Sequence, residues 1–72
     1  MAQLILAADK ERSALRRHPW LFAGSVAHLA GRARAGDTVD ILAHDGRPLG
    51  RAAFSPKSQI RARFWSFDPE AI

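Results

Sequence analysis

Hydrophobic and polar positions alternate along much of this chain in runs of four to eight residues, the length and period of β-strands. The first run, residues 2–7, is compact and apolar, which suits a buried strand. In the run over residues 38–43, Val39 and Ile41 face the same way, and the following Asp45-Gly46 favours a hairpin turn. The pattern predicts five strands, over residues 2–7, 25–29, 38–43, 48–54 and 60–67.

One segment has the composition of a helix. Residues 10–17 contain good helix formers and no glycine, and Asp9 before them is a candidate N-cap. Pro19 ends this helix, because a proline pushes the residue before it out of the helical region. The segment therefore predicts a helix of roughly two turns.

Pro19 can also open a second, shorter helical turn, since its missing N–H would be unpaired at that position anyway. The turn would run through Trp20, Leu21 and Phe22, and Gly24 would close it. We expect these large side chains, Trp20 among them, to form an apolar plug at one end of the fold rather than a stacking platform.

Together the elements predict a mixed α/β fold that is mainly β, a small barrel with one or two short helices. Closing the sheet would protect edges that a chain this short could not otherwise cover. With 72 residues the chain forms one domain, and without cysteine its core has to come from packing alone.

The charge balance points towards an anionic partner. Eleven Lys and Arg residues oppose seven Asp and Glu residues, which gives a net charge of +4, and nine of the eleven cations are arginine. The guanidinium fork matches the geometry of phosphate, so this composition favours nucleic-acid binding. A GC-rich genome would also raise arginine over lysine, and that explanation stays open.

The last predicted strand, IRARFWSF, carries the clearest candidate surface. Strand alternation places Arg61, Arg63 and Trp65 on one face and apolar core residues on the other. The two guanidinium groups would lie roughly 7 Å apart, similar to the spacing of phosphates along an RNA strand, beside a ring on which a base can stack. The alternative is a solvated edge on which the arginines merely cover Trp65.

Other residues can extend this surface. Arg51 lies on the preceding strand and would join the basic face if the two strands pair. Arg16 and Arg17 lie in the last turn of the predicted helix, where the helix dipole already explains cations, although they can also bind phosphates. His18 either caps the next turn or contacts a phosphate.

No catalytic or metal-binding pattern stands out. Ser55 and Ser58 lack a histidine–acid arrangement, and no glycine-rich phosphate loop precedes a helix. His28 and His44 have no metal-ligand spacing, so we expect neither a metal site nor enzyme activity in this chain alone. No segment approaches the roughly 20 apolar residues of a membrane span, and the lack of cysteine makes the cytoplasm the expected location.

The series RHPWLFAGSV, GDTVDIL, HDGRPLGRAAFSP and KSQIRARFWSFDPE resembles the N-terminal PUA domain of bacterial SAM-dependent methyltransferases that make 5-methylcytosine in 23S ribosomal RNA. The resemblance covers essentially the whole chain. Its most specific parts are the run Arg17-His18-Pro19-Trp20 and the run from Ser55 to Arg63. Two residues depart from the family pattern: Ala52 replaces an expected glycine and Phe54 an expected tyrosine.

The resemblance implies a PUA-like pseudobarrel of about five to six strands that binds RNA through its helix, the following glycine-containing loop and an adjacent strand. The RNA-binding residues would be Arg16, Arg17, His18, Gly24, Arg51, Arg61, Arg63 and Trp65. Residues 1–67 would form the RNA-binding domain, and residues 68–72 would begin a linker. The chain would then be one domain of a longer enzyme.

The function expected from this resemblance is substrate recognition for a methyltransferase acting on large-subunit rRNA. The partners would be RNA, 23S rRNA in particular, and the methyltransferase domain of the same parent chain, with no membrane involved. The SAM cofactor would belong to that catalytic domain and not to this chain. The alternative is a protein-docking module that braces the methyltransferase domain through apolar surface around Trp65 and Phe67, without RNA contacts of its own.

Overall fold

Six strands form one sheet in the computed structural model, which describes residues 2–67. The predicted linker, residues 68–72, lies outside the described residues. Across the sheet the strand order is β2-β6-β5-β4-β1-β3; β1 and β4 run parallel, and the other neighbours run antiparallel. Along the chain the elements are β1 (Gln3–Leu6), α1 (Arg12–Leu15), β2 (Trp20–Phe22), β3 (Val26–Ala30), β4 (Thr38–Leu42), β5 (Pro48–Phe54) and β6 (Ile60–Ser66).

The sheet curls into a half-barrel because its two edge strands follow each other directly in sequence. A single 3-10 turn, Ala23–Ser25, connects β2 to β3. Ala23 N–H donates to the carbonyl of Gln59 (2.8 Å), and Ala7 N–H donates to the carbonyl of Ser25 (2.9 Å). These bonds hold the connecting turn against both ends of the sheet, and the mainly β, six-stranded architecture is consistent with the predicted pseudobarrel.

The core fills the inside of this curl with mainly aliphatic side chains, together with Phe54 and Phe64. Burial alternates along β4 as the sequence pattern predicts, with Val39 and Ile41 fully buried. In β6, Ala62 and Phe64 face the core as predicted, but Ile60, predicted on the same face, is only half-buried. The short helix contributes Ala14. The largest fully buried side chains are Leu4, Leu6, Leu21, Ile41 and Val39.

The predicted two-turn helix over residues 10–17 is wrong in length, because α1 is a single turn. Asp9 does not cap it: this residue has a left-handed φ of 64°, and Lys10 N–H closes a tight turn on the Ala7 carbonyl (3.1 Å). The helix therefore begins only at Arg12. It ends before Pro19 could act, because Arg17 also adopts a left-handed φ of 60°.

The predicted helical turn after Pro19 is also wrong, since Trp20–Phe22 is strand β2, paired with β6. Strand geometry buries Leu21, at 1% exposure, and leaves Trp20 at 42% and Phe22 at 48%. The aromatic residues therefore do not plug the barrel. Leu21 alone enters the core, and Gly24 lies beyond the strand in the 3-10 turn.

A register shift in β6 determines which side chains face the core at the end of this strand. Opposite β5, Ala52 pairs with Phe64 but Arg51 pairs with Ser66, so Trp65 is an extra residue, which is the definition of a β-bulge. The bulge reverses the alternation that follows it. Phe67 consequently stacks on Phe64, with ring centroids 4.6 Å apart, and packs against the core.

Gly50 makes this bulge possible. Its φ is 151°, a conformation that residues with a Cβ rarely adopt. A Cβ at this position would collide with the carbonyl oxygen of Ser66 and would lie 2.9 Å from Cα of Phe67. The backbone of β6 therefore occupies the space that a side chain on residue 50 would need.

We expect Gly50→Ala to lower the free energy of unfolding by about 2–4 kcal/mol, because backbone strain and overpacking add at this site. Gly24→Ala is the matched control: no atom lies within 4 Å of a Cβ there, and its φ is not left-handed. It should change stability by less than about 1 kcal/mol. Urea denaturation followed by circular dichroism measures both, and equal stability of the two variants would contradict the role of Gly50.

Candidate nucleic-acid interface

Three exposed aromatic rings and two arginines share the outer surface of β2 and β6. This β2–β6 face consists of Trp20, Phe22, Arg61, Arg63 and Trp65. Trp20 lies directly opposite Arg63 in the antiparallel ladder, so their Cβ atoms are about 4.5–5.5 Å apart on the same side of the sheet. The structure thus brings together Arg61, Arg63 and Trp65, as the sequence predicts, and adds two rings from β2.

Bulges lie on both sides of Arg63. Opposite β2, Leu21 pairs with Ala62 and Phe22 with Ile60, which makes Arg61 the extra residue on β6. Opposite β5, the extra residue is Trp65. Bulges bend a strand and redirect side chains, and they are enriched beside functional sites.

Arg63 stands in an open, uncompensated position. It is exposed, its neighbour across the ladder on β5 is the small Ala53, and no described acidic side chain lies within ion-pair distance. Arg61 is half-buried, and its Nε donates to the carbonyl of Ser58 (3.3 Å). The positive charge of this face follows from the sequence, because residues 12–36 and 46–67 contain no Asp or Glu and hold ten of the eleven Lys and Arg residues.

His18 fixes the position of Trp20. The backbone N–H of Trp20 donates to Nδ1 of His18 (3.2 Å), and the two rings meet edge to face with centroids 6.0 Å apart. This contact uses a backbone donor on the edge strand β2 that would otherwise be available to another strand. His18 therefore borders the β2–β6 face and orients one of its rings.

Arg16 and Arg17 lie at the end of α1 and are exposed. The Arg17 guanidinium is 5.7 Å from the centroid of the Phe67 ring, within the range of a cation–π contact. Because Phe67 belongs to the core side of β6, Arg17 is bound beside the β2–β6 face and is not a member of it. The prediction that grouped Phe67 with Trp65 is wrong, since the bulge at Trp65 places these rings on different sides.

Arg51 is engaged within the sheet. Its Nε lies 3.1 Å from Oδ1 of Asp40 on β4, directly opposite in the ladder, and both side chains are partly buried. The carboxylate neutralises most of the charge that Arg51 would add to the β2–β6 face. Elsewhere, Arg47 forms an ion pair with Asp45 (2.9 Å) in the β4–β5 hairpin, and this hydrogen bonding lowers the pKa of Asp45.

Gly24 lies at the other end of β2 from His18, exposed in the Ala23–Ser25 turn. Neither its backbone conformation nor its packing demands a glycine. The protein alone therefore gives no structural reason for the missing side chain, and open space surrounds it. A ligand backbone can approach this corner closely.

Within residues 2–67, no three His, Asp or Glu side chains come close enough together to hold a metal ion. The same described part of the chain contains no helix long and apolar enough to cross a membrane.

Sequence reasoning missed Trp20 and Phe22 as surface residues. The available signal was their type, because aromatic residues favour strands, and a Trp-Leu-Phe triplet alternates in strand period. The proline before them favoured a helix start instead. Only the pairing of Leu21 with Ala62 on β6 decides between the two interpretations.

Known proteins with similar sequences include several of one kind. The family model of the PUA-like domain matches residues 4–67. The chain is 58% identical over 66 residues to the ribosomal RNA large subunit methyltransferase I of Klebsiella pneumoniae strain 342, covering 92% of this chain and 16% of that protein. The proteins of the same name from Cronobacter sakazakii and Escherichia coli strain SMS-3-5 are 58% and 57% identical over 67 residues, covering 93% of this chain and 17% of each protein. The chain thus spans about a sixth of the length of these relatives.

We expect both tryptophans to be accessible to solvent, in contrast to a plug formed by Trp20. In the Trp65→Phe variant, Trp20 is the only tryptophan left, and its emission should resemble that of a solvated indole and be quenched readily by acrylamide. The Trp20→Phe variant reports Trp65 in the same way and serves as the comparison. A blue-shifted, protected Trp20 beside a quenchable Trp65 would contradict the position of β2.

Proposed function

This chain belongs to the PUA-like domain family, and we propose that it is an RNA-binding domain that recognises the substrate of an rRNA methyltransferase. The proposed parent enzyme is SAM-dependent and forms 5-methylcytosine in large-subunit (23S) rRNA. The observation that carries the proposal is the exposed, unpaired Arg63 opposite Trp20 on a face without acidic residues. The names of the relatives and their high identity support the rRNA assignment.

Phosphate contacts would provide most of the affinity. Arg61 and Arg63 project from one strand about 7 Å apart, so they can neutralise neighbouring phosphates of one RNA strand. Arg16 and Arg17 at the end of α1 would bind a more distant part of the backbone. Arg51 would contribute little to this field because Asp40 already neutralises it.

The ends of β2 would fix the position of the RNA. His18 borders the face at one end and holds Trp20, while Gly24 leaves the backbone of the 3-10 turn open at the other. Trp65 adds a ring on which a base can stack. Phosphate contacts of this kind position a nucleic acid and do not read its sequence.

The methyl-transfer step would belong to a different part of the longer enzyme. The residues of this chain do not fit a SAM site of the Rossmann type, because α1 is a single turn and the segment before it, residues 7–11, contains no glycine. We therefore propose that SAM and the catalytic groups would belong to another part of a longer enzyme.

A second candidate function is protein docking, and the exposed rings of Trp20, Phe22 and Trp65 are the observation that favours it. In that case the methyltransferase domain of the parent enzyme would cover the β2–β6 face. Hydrogen exchange of this chain and of the parent enzyme without RNA discriminates the two functions. Docking requires new protection of β2 and β6 amides in the parent enzyme, whereas RNA binding leaves them as they are.

We expect the chain to bind a structured rRNA hairpin with an affinity that falls steeply as salt increases. Arg61→Ala and Arg63→Ala should each lower the slope of log affinity against log salt by about 0.7–1, since each removes one phosphate contact. Fluorescence anisotropy of labelled RNA at several salt concentrations measures the slope.

The matched control is Arg47→Ala, which removes one exposed arginine that already forms an ion pair with Asp45. The salt slope of this variant should equal that of the unmodified 72-residue chain within experimental error. If Arg47→Ala lowers the slope as much as Arg63→Ala, binding follows net charge alone and the assigned site is wrong. If the unmodified chain does not bind the RNA at all, the proposed function fails.

A further inference from the structure

We propose that the β2–β6 face binds an unpaired nucleic-acid strand, with one base stacked on Trp20, another on Trp65, and a phosphate on Arg63 between them. This inference rests on the proposed function and narrows its ligand to single-stranded RNA. The face contains three of the four large hydrophobic side chains exposed in residues 2–67; the other, Leu15, lies on α1.

Trp20 and Trp65 lie at separate positions of the β2–β6 face. Trp20 opposes Arg63, and Trp65 lies two residues further along β6, so the two tryptophans are diagonal neighbours whose Cα atoms are about 7–8 Å apart. Bases within a duplex are about 3.4 Å apart along each strand, and their flat faces are covered by their neighbours. Trp20 and Trp65 each present an exposed ring, and each can stack only on a base whose flat face is not covered by its neighbours, which favours an unpaired strand.

Trp65 lies at the bulge of β6, whereas Trp20 lies at a regular ladder position beside His18. Trp65 has no partner in the register of β5, and its side chain is 49% exposed. Trp20, at 42% exposure, is held by the edge-to-face contact with His18. The contact with His18 therefore preorganises the Trp20 ring for stacking.

A phosphate is the group that best fits between these rings. Arg63 has no acidic partner among the described residues, so a partner that covers the rings must also neutralise this charge. A nucleic-acid strand supplies both components at every nucleotide. A protein strand added to the edge of β2 is disfavoured, because His18 already occupies the backbone N–H of Trp20.

The test uses the fact that Trp20 and Trp65 are the only tryptophans of the chain, so intrinsic fluorescence reports this face alone. The 72-residue chain is titrated with a single-stranded 12-nucleotide RNA, with the same RNA annealed to its complement, and with an abasic strand of equal length. We expect the single strand to quench the fluorescence and to bind at least tenfold more tightly than the other two ligands.

Variants assign the effect to each ring. Trp20→Ala and Trp65→Ala should each weaken binding of the single strand by about five- to a hundredfold without changing the salt slope, because each removes a stacked base and no phosphate contact. Trp20→Phe should retain most of the affinity, and Leu15→Ala, an exposed hydrophobic side chain outside the face, should retain all of it.

The outcomes separate this inference from the proposed function. If duplex and single strand bind equally and neither quenches the tryptophans, the domain binds RNA but the stacking inference is overturned. If the abasic strand binds as tightly as the complete RNA, the rings take no part and the inference is again overturned. If none of the three ligands binds while the rRNA hairpin does, this inference is overturned and the proposed function stands. If the hairpin does not bind either, the proposed function fails as well.

Discussion

The close approach between Gly50 and the end of β6 is the contact on which the arrangement of this small sheet depends. Because residue 50 has no Cβ, the β6 backbone near Phe67 can occupy that space. The strand can then accommodate Trp65 as an extra residue and turn Phe67 back onto Phe64. The Arg17 guanidinium, 5.7 Å from the Phe67 ring, attaches the end of α1 to the same point. The absence of a side chain at residue 50 thus permits contacts that join the sheet, the core and the helix.

The same contact decides which residues face outwards. Under strict alternation, Phe67 would follow Trp65 onto the outer surface and extend its apolar area. The bulge assigns Phe67 to the core and leaves Trp65 outside, next to Arg63. A second bulge at Arg61 bends β6 against the edge strand. The outer surface consequently combines rings with charge, which suits a ligand that is both aromatic and anionic.

The sequence pattern predicted an element correctly where neighbouring residues along the chain determine its conformation. The strand over residues 48–54 matches β5 residue for residue, because Gly46 supplies the positive φ of 92° that the Asp45-Gly46 turn requires. In β6, alternation correctly separated Ala62 and Phe64 from Arg63 and Trp65, but it failed at both ends, for Ile60 and Phe67. Strand β2 could not be predicted in this way, since three residues form a strand only through pairing with β6, and Pro19 suits a helix start equally well. The bulges depend on how closely a partner strand approaches, which the sequence pattern does not encode.

The exposure of both tryptophans is costly in a chain of this size. A domain of about 60–70 residues buries only about 60% of its unfolded surface, and one buried tryptophan would contribute about 150–250 Å². Yet the largest fully buried side chains are aliphatic, and Trp20, Phe22 and Trp65 remain on the surface. Packing within the residues described gives no reason for this distribution. A bound ligand that covers the rings and neutralises Arg63 would explain it. The exposed rings that reduce the stability of the isolated domain would then form the binding site for that ligand.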